Sequence, residues 1–160
     1  MNLYLKPPDG RVFVTAPRQA PAAGIREFVA GRLDWIRAHQ ERMKNAAARR
    51  EEEPELTKEQ RDRLRERVAF FAAKWEPRMG VHASAWTLRK MKTRWGSCTV
   101  NTGRIRINTR LYFYPDESLE YIVVHELCHL LEPSHNRRFQ ELMTGFLPDW
   151  KDRRRRMRSE

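Results

Sequence analysis

His125-Glu126-Leu127-Cys128-His129 is the stretch on which the reading turns: an H-E-x-x-H motif with a further histidine, His135, behind it. Residues four apart on a helix project from one face, so His125 and His129 can grip one metal ion. Glu126 stands about 100° round the helix from His125, within reach of a water molecule held at that ion. Catalytic zinc takes three protein ligands and keeps one position open. Two helical histidines are one ligand short. His135 is placed to supply the third, with Glu141 and Asp149 as competitors.

The surroundings support a buried metal helix. Leu119, Ile122, Val123, Leu127, Leu130 and Leu131 recur at helical spacing, and Pro115, Asp116 and Glu117 suit a first turn. Pro133 disfavours helix at Glu132, so the helix should stop near Leu131 or Glu132. Ser134 is positioned to cap a new helix beginning at His135, whose apolar face is Phe139, Leu142, Met143 and Phe146. The chain therefore turns just after His129 and can bring His135 back to the metal. The His-x5-His spacing equals that of metzincin proteases, but the turn glycine of that group is replaced by Glu132-Pro133, and metzincin membership is rejected. Three of the five histidines fall between residues 125 and 135; His39 and His82 are isolated and are read as non-ligands.

Composition bounds the class. The chain has 160 residues, 40% of them hydrophobic, enough for one domain with a core. No apolar run reaches the length of a membrane span. Met1-Asn2-Leu3-Tyr4-Leu5-Lys6 lacks the apolar centre of a signal peptide, so a cytoplasmic location is expected. Two cysteines argue against a disulfide framework, and Cys128 lies off the face shared by His125 and His129. Lys plus Arg number 32 against 21 Asp plus Glu, a net charge of +11, part of it in Lys151-Asp152-Arg153-Arg154-Arg155-Arg156-Met157-Arg158. A solvated basic helix end is the first reading of that run. Weak, salt-sensitive nucleic-acid binding, separate from catalysis, is the functional one.

Elsewhere the periods are simpler. Residues 3–6 and 11–15 flank Pro7-Pro8-Asp9-Gly10 and read as a β-hairpin, with Leu3, Leu5, Val12 and Val14 apolar. Ile25, Phe28, Val29, Leu33 and Ile36 predict one long helix from Gly24 to about Ala48, followed by a linker from Arg49 to Glu55. Thr57 and Gln60 form a capping box for the next helix, buried through Leu64, Val68, Phe71, Ala72 and Trp75 and ended by Pro77 and Gly80. Residues 84–110 change to a period of two around the turn signal Asn101-Thr102-Gly103, predicting an antiparallel β segment that leads into the metal helix. Such a strand can pair with an extended peptide.

The chain resembles the YgjP-like metal-dependent hydrolases, relatives of the SprT-like zinc peptidases. The resemblance runs through Arg94-Trp95-Gly96-Ser97-Cys98, Ile107-Asn108, Tyr121-Ile122-Val123-Val124-His125-Glu126-Leu127-Cys128-His129-Leu130, His135, Phe139 and Pro148-Asp149-Trp150-Lys151. It implies a zincin-like fold, metal ligands at His125, His129 and His135, and a catalytic glutamate at Glu126. The chain departs from the family at Cys128, where alanine is frequent, and at its N-terminus, where many relatives have a longer β-rich segment.

The expectation is therefore an α+β, zincin-like protein. Its antiparallel β segment packs on a metal-binding active-site helix, with additional N-terminal helices. It forms one domain over 1–160, with a hairpin and long helix over 1–50 and the catalytic core over 56–160. The first functional reading is a zinc metallopeptidase acting on peptides or proteins, with Glu126 as general base. Arg94 and Asn136 are candidates to steady the oxyanion. The alternatives are a nucleotide or phosphate hydrolase, which lacks a visible phosphate-binding glycine loop, and a nucleic-acid-associated module with a structural zinc.

Overall fold

The computed structural model describes residues 1–6, 10–52 and 55–159, and the chain divides into two units, Met1–Pro54 and Glu55–Glu160. In the first, β1 (Asn2–Lys6) and β2 (Arg11–Thr15) pair antiparallel, Leu3 opposite Val14 and Leu5 opposite Val12. This is the expected hairpin; Pro7, Pro8 and Asp9 of its turn lie outside the described residues. The single helix expected over 24–48 is two helices, α1 (Ala22–Ala30) and α2 (Leu33–Glu52). Gly31 marks the break: glycine costs about 1 kcal/mol in a helix interior, and the next amide, of Arg32, tightens onto the Val29 carbonyl at 3.0 Å. The linker expected from Arg49 is helical as far as Glu52, because the charge swing there breaks no backbone rule. Residues 53 and 54 lie outside the described residues.

The second unit opens with α3 (Lys58–Met79), capped by the expected reciprocal bonds: the Gln60 amide donates to Thr57 Oγ1 (3.2 Å) and the Thr57 amide to Gln60 Oε1 (3.0 Å). Leu64, Val68, Phe71, Ala72 and Trp75 are its buried face, as their spacing predicts. Pro77 does not end this helix. It forfeits one hydrogen bond near the C-terminus, and burial of Trp75 and Met79 around it, at about 1.5–3 kcal/mol per large side chain, offsets the loss. The stop is Gly80, at φ +65° in the left-handed cap conformation.

Three strands follow, β3 (Ala85–Arg89), β4 (Gly96–Thr99) and β5 (Arg104–Asn108), in the order β3-β5-β4. β4 and β5 form an antiparallel pair around the predicted turn, with Gly103 at φ +70°, whereas β3 runs parallel to β5. The expected all-antiparallel segment is thus corrected to a mixed sheet. Alternation fixes the face each side chain takes, not the direction of the strand. Ile105 and Ile107 on the central strand are fully buried.

The sheet covers α4 (Asp116–Cys128), the helix of the H-E-x-x-H motif, which also packs against α3, α5 (Arg137–Phe146) and α6 (Trp150–Ser159). Leu119, Val123, Val124, Leu127 and Cys128 have no exposed surface. The α-helix is shorter than expected. From His129 to Leu131 the amides bond three residues back, a tighter winding that lets the chain leave before Pro133. α5 is capped by Asn136, not Ser134: Asn136 Oδ1 accepts from the Phe139 amide at 3.0 Å, so His135 precedes the helix.

A buried ionic knot ties α3, α4 and α6 together. Lys74 Nζ (2.6 Å) and Trp75 Nε1 (2.9 Å) donate to one oxygen of Glu120, and Arg153 Nη1 (2.8 Å) to the other. Arg153 also binds Asp149 at 2.9 Å. The basic run at 151–158 is therefore not wholly a solvated helix end: Arg153 is load on the inside of the fold, and Met157 is 5% exposed. Among the described residues, no helix is long and apolar enough to cross a membrane.

Candidate metal centre

The last turn of α4 and the loop before α5 bring three imidazoles together. One nitrogen of each of His125, His129 and His135 lies within 4.8 Å of the others, and the Nε2 atoms of His125 and His135 are 3.0 Å apart. Phe139, on the first turn of α5, packs against all three rings at centroid distances of 4.9, 4.7 and 5.0 Å. The expected competitors are engaged elsewhere, Glu141 with Arg137 and Asp149 with Arg153, each at 2.9 Å. His82 pairs with Glu76 at 2.9 Å and His39 stacks on Trp35 at 4.9 Å.

The donor set suits a divalent ion of zinc's preference. Burial, then the neighbouring charges of His129, His135 and Arg154, lower the His125 pKa to about 3. Burial, then His135, lowers that of His129 as well. Both rings are thus neutral with lone pairs to give, which zinc requires. His129 Nδ1 lies 3.3 Å from the Glu132 carbonyl, an orienting contact that leaves Nε2 available. His125 Nδ1 is buried with no partner among the described residues.

Glu126 points to the same cleft from the side of β4. It is 4% exposed, and burial pushes its carboxyl up to about 8, partly offset by the charge of Arg94. No hydrogen bond to its carboxylate is made among the described residues. Gly96 explains how it fits: a Cβ there would lie 2.8 Å from Glu126 Oε1 and 2.9 Å from its Cγ. The close approach allowed by Gly96 is to the catalytic candidate itself. Its position is held by Asn108, whose Nδ2 donates to the carbonyls of Met91 (3.0 Å) and Arg94 (2.8 Å) and whose amide donates to Trp95 O (2.9 Å). Trp95 packs edge-on against Tyr114 at 4.7 Å. The Arg94–Cys98 block, opaque as sequence, is the cradle of Glu126.

The cleft measures about 500 Å³ and is lined by β4, the three histidines, Glu126, Tyr121 and one face of α6. Of the two oxyanion candidates, Arg94 lines it. Asn136 does not, since its amide is spent on Glu132 Oε1 (3.0 Å) and the Phe139 amide. Tyr121 was missed as a cleft residue, yet it precedes His125 by one helical turn and shares its face, a signal the spacing carries. Arg154, Met157 and Arg158 were also missed, because nothing in the sequence says against what α6 packs.

The sequence profile described as YgjP-like, metallopeptidase domain matches residues 1–67 and 53–160. Among curated proteins none matches. Two similar solved structures are metallopeptidase zymogens, jannalysin of Methanocaldococcus jannaschii (18% identity) and abylysin of Pyrococcus abyssi (21% identity). Each superposes with a TM-score of 0.51 over 57% of this chain, covering 94% and 92% of the respective neighbour. At that identity the likeness establishes the fold, the α+β zincin-like architecture expected above.

Proposed function

The chain belongs to the YgjP-like metallopeptidase family, and from that premise we propose that it is a zinc-dependent peptidase. His125, His129 and His135 are its metal ligands and Glu126 its general base. One observation carries this reading: three imidazoles converge beside a buried carboxylate that has no hydrogen-bond donor among the described residues. Bound there, zinc would polarise the scissile carbonyl and acidify a water molecule.

The chain's own groups supply the rest. Glu126, its pKa raised towards neutrality, accepts a proton from the attacking water and returns it to the leaving amine. Gly96 and the Asn108-held loop keep the carboxylate in place. β4 is an edge strand on the cleft, paired on one side to β5, so its other edge can take an extended peptide by main-chain hydrogen bonds. Arg94 and the Tyr121 hydroxyl are the donors on the cleft wall suited to a developing oxyanion.

The test is hydrolysis by the purified, zinc-loaded protein of an unfolded protein and, in parallel, of nucleoside triphosphates. Peptide-bond cleavage that a chelator stops and zinc restores is the expected result. Triphosphate hydrolysis without peptide cleavage would replace the peptidase by a phosphate hydrolase at the same metal.

A further inference from the structure

The arginines of α6 are of two kinds. Arg153 is neutralised by Glu120 and Asp149, and Arg155 by Asp152. Arg154 and Arg158, one turn apart on another face, form no ion pair with a carboxylate among the described residues, and both line the cleft that holds the histidines and Glu126. That face is fixed, because Met157 between them is buried and Arg153 anchors the helix to α4. The same two side chains, with Arg155, also border a second groove lined by Gln140, Trp150 and Lys151 and by no carboxylate among the described residues. Among the described residues, the lone carboxylate lining the cleft wall is Glu126, which is buried. The charge of Arg154 reaches His125, and that of both arginines reaches Tyr121, on the cleft floor.

We propose that Arg154 and Arg158 are specificity-determining residues, which make the cleft select peptides with acidic side chains on the α6 side of the scissile bond. The proposal rests on the peptidase reading and names its substrate class. Two free guanidiniums rimming a cleft raise the local concentration of anionic segments and offer forked donors to their carboxylates. They repel basic segments by the same field. A nucleic acid would meet the same charge, but a cleft flanked by an edge strand suits an extended polypeptide, held by main-chain hydrogen bonds with side chains reaching alternately to the wall.

The test uses zinc-loaded Glu126→Gln protein, which binds without turning over, and labelled peptides of equal length that differ only in carrying Glu, Gln or Lys. Fluorescence anisotropy should show the acidic peptide bound about tenfold more tightly than the neutral one at low salt, the scale of two exposed ion pairs. The gap should close as salt screens the charges. Adding Arg154→Gln and Arg158→Gln should abolish the preference, and Arg154→Glu with Arg158→Glu should reverse it in favour of the Lys peptide. Zinc content and unfolding midpoint report that these variants are folded; the single Arg158→Glu substitution gives a smaller shift of the same sign. Equal binding of all three peptides overturns the proposal. So does an acidic preference that survives charge reversal, or displacement of the acidic peptide by an oligonucleotide of equal charge at lower concentration. Since binding is read without catalysis, a wild-type protein that cleaves no peptide defeats the peptidase reading separately.

Discussion

Glu120 and Glu126 stand on the same buried helix, both almost wholly removed from solvent, and their surroundings push them in opposite directions. Burial raises the Glu120 carboxyl, but hydrogen bonds from Lys74, Arg153 and Trp75, and the charge of Lys74, outweigh it and leave it below the ordinary carboxylate range. Burial raises Glu126 to about 8, and only the field of Arg94 opposes it. A carboxylate wrapped in donors is fixed as an anion and holds helices together. A carboxylate in an apolar cradle without donors exchanges protons near neutrality, which is what a general base needs. One helix thus carries a structural acid in its first half and, on the reading proposed above, a chemical one near its end.

The largest loss is expected at the histidines. His129→Ala should remove zinc and with it all hydrolysis, measured by metal analysis and turnover on one preparation. Full zinc retention would move the site away from this helix. Next, Gly96→Ala forces the Glu126 carboxylate aside, since its Cβ would stand 2.8 Å from Oε1. A misplacement of that order costs about 100-fold in turnover, while zinc content stays at the wild-type level. Wild-type turnover would mean that Glu126 does not act from where it lies.

Glu120→Gln probes the other acid. Arg153 and Lys74 lose the buried negative charge they share, and stability should fall by about 3 kcal/mol in denaturant unfolding, with turnover per folded molecule little changed. The sign with pH follows from the depressed pKa. The stabilisation by Glu120 is present above the carboxylate's unfolded pKa and is lost as pH falls through its lower folded value, so the gap between wild type and variant should close in acid. A gap constant with pH would deny Glu120 its ionic role. The smallest effect is at Asn108→Ala, which removes its two side-chain donations to the carbonyls of Met91 and Arg94. It should cost about 1–2 kcal/mol, together with a loss of turnover as the Gly96 cradle loosens.

These residues also mark what the sequence could carry. The apolar face of α4, the Thr57–Gln60 cap and the turn at Gly103 are local patterns found where their spacing puts them, although α4 stops at Cys128, short of the expected Leu131 or Glu132. The three histidines are legible because helical periodicity and a proline-forced turn are both local rules. The Glu120 knot is not: Lys74 and Arg153 are remote from it in the chain and read there as ordinary surface charge. Strand direction was lost because alternation is the same for parallel and antiparallel neighbours, and Gly31 and Pro77 show propensity and packing each prevailing once. The role of Gly96 is a contact between β4 and α4, so only the folded chain discloses it.

Hydrolysis by Glu126→Gln, with zinc content and unfolding measured beside it, bears most directly on the claim that one acid serves chemistry and the other the fold. The variant keeps the size of the side chain and removes the base. It should hold full zinc, be as stable as or more stable than wild type because a poorly solvated carboxylate is gone, and turn over about 10²–10⁴-fold more slowly. A zinc-loaded, folded Glu126→Gln protein that cleaves peptides at the wild-type rate would contradict that claim.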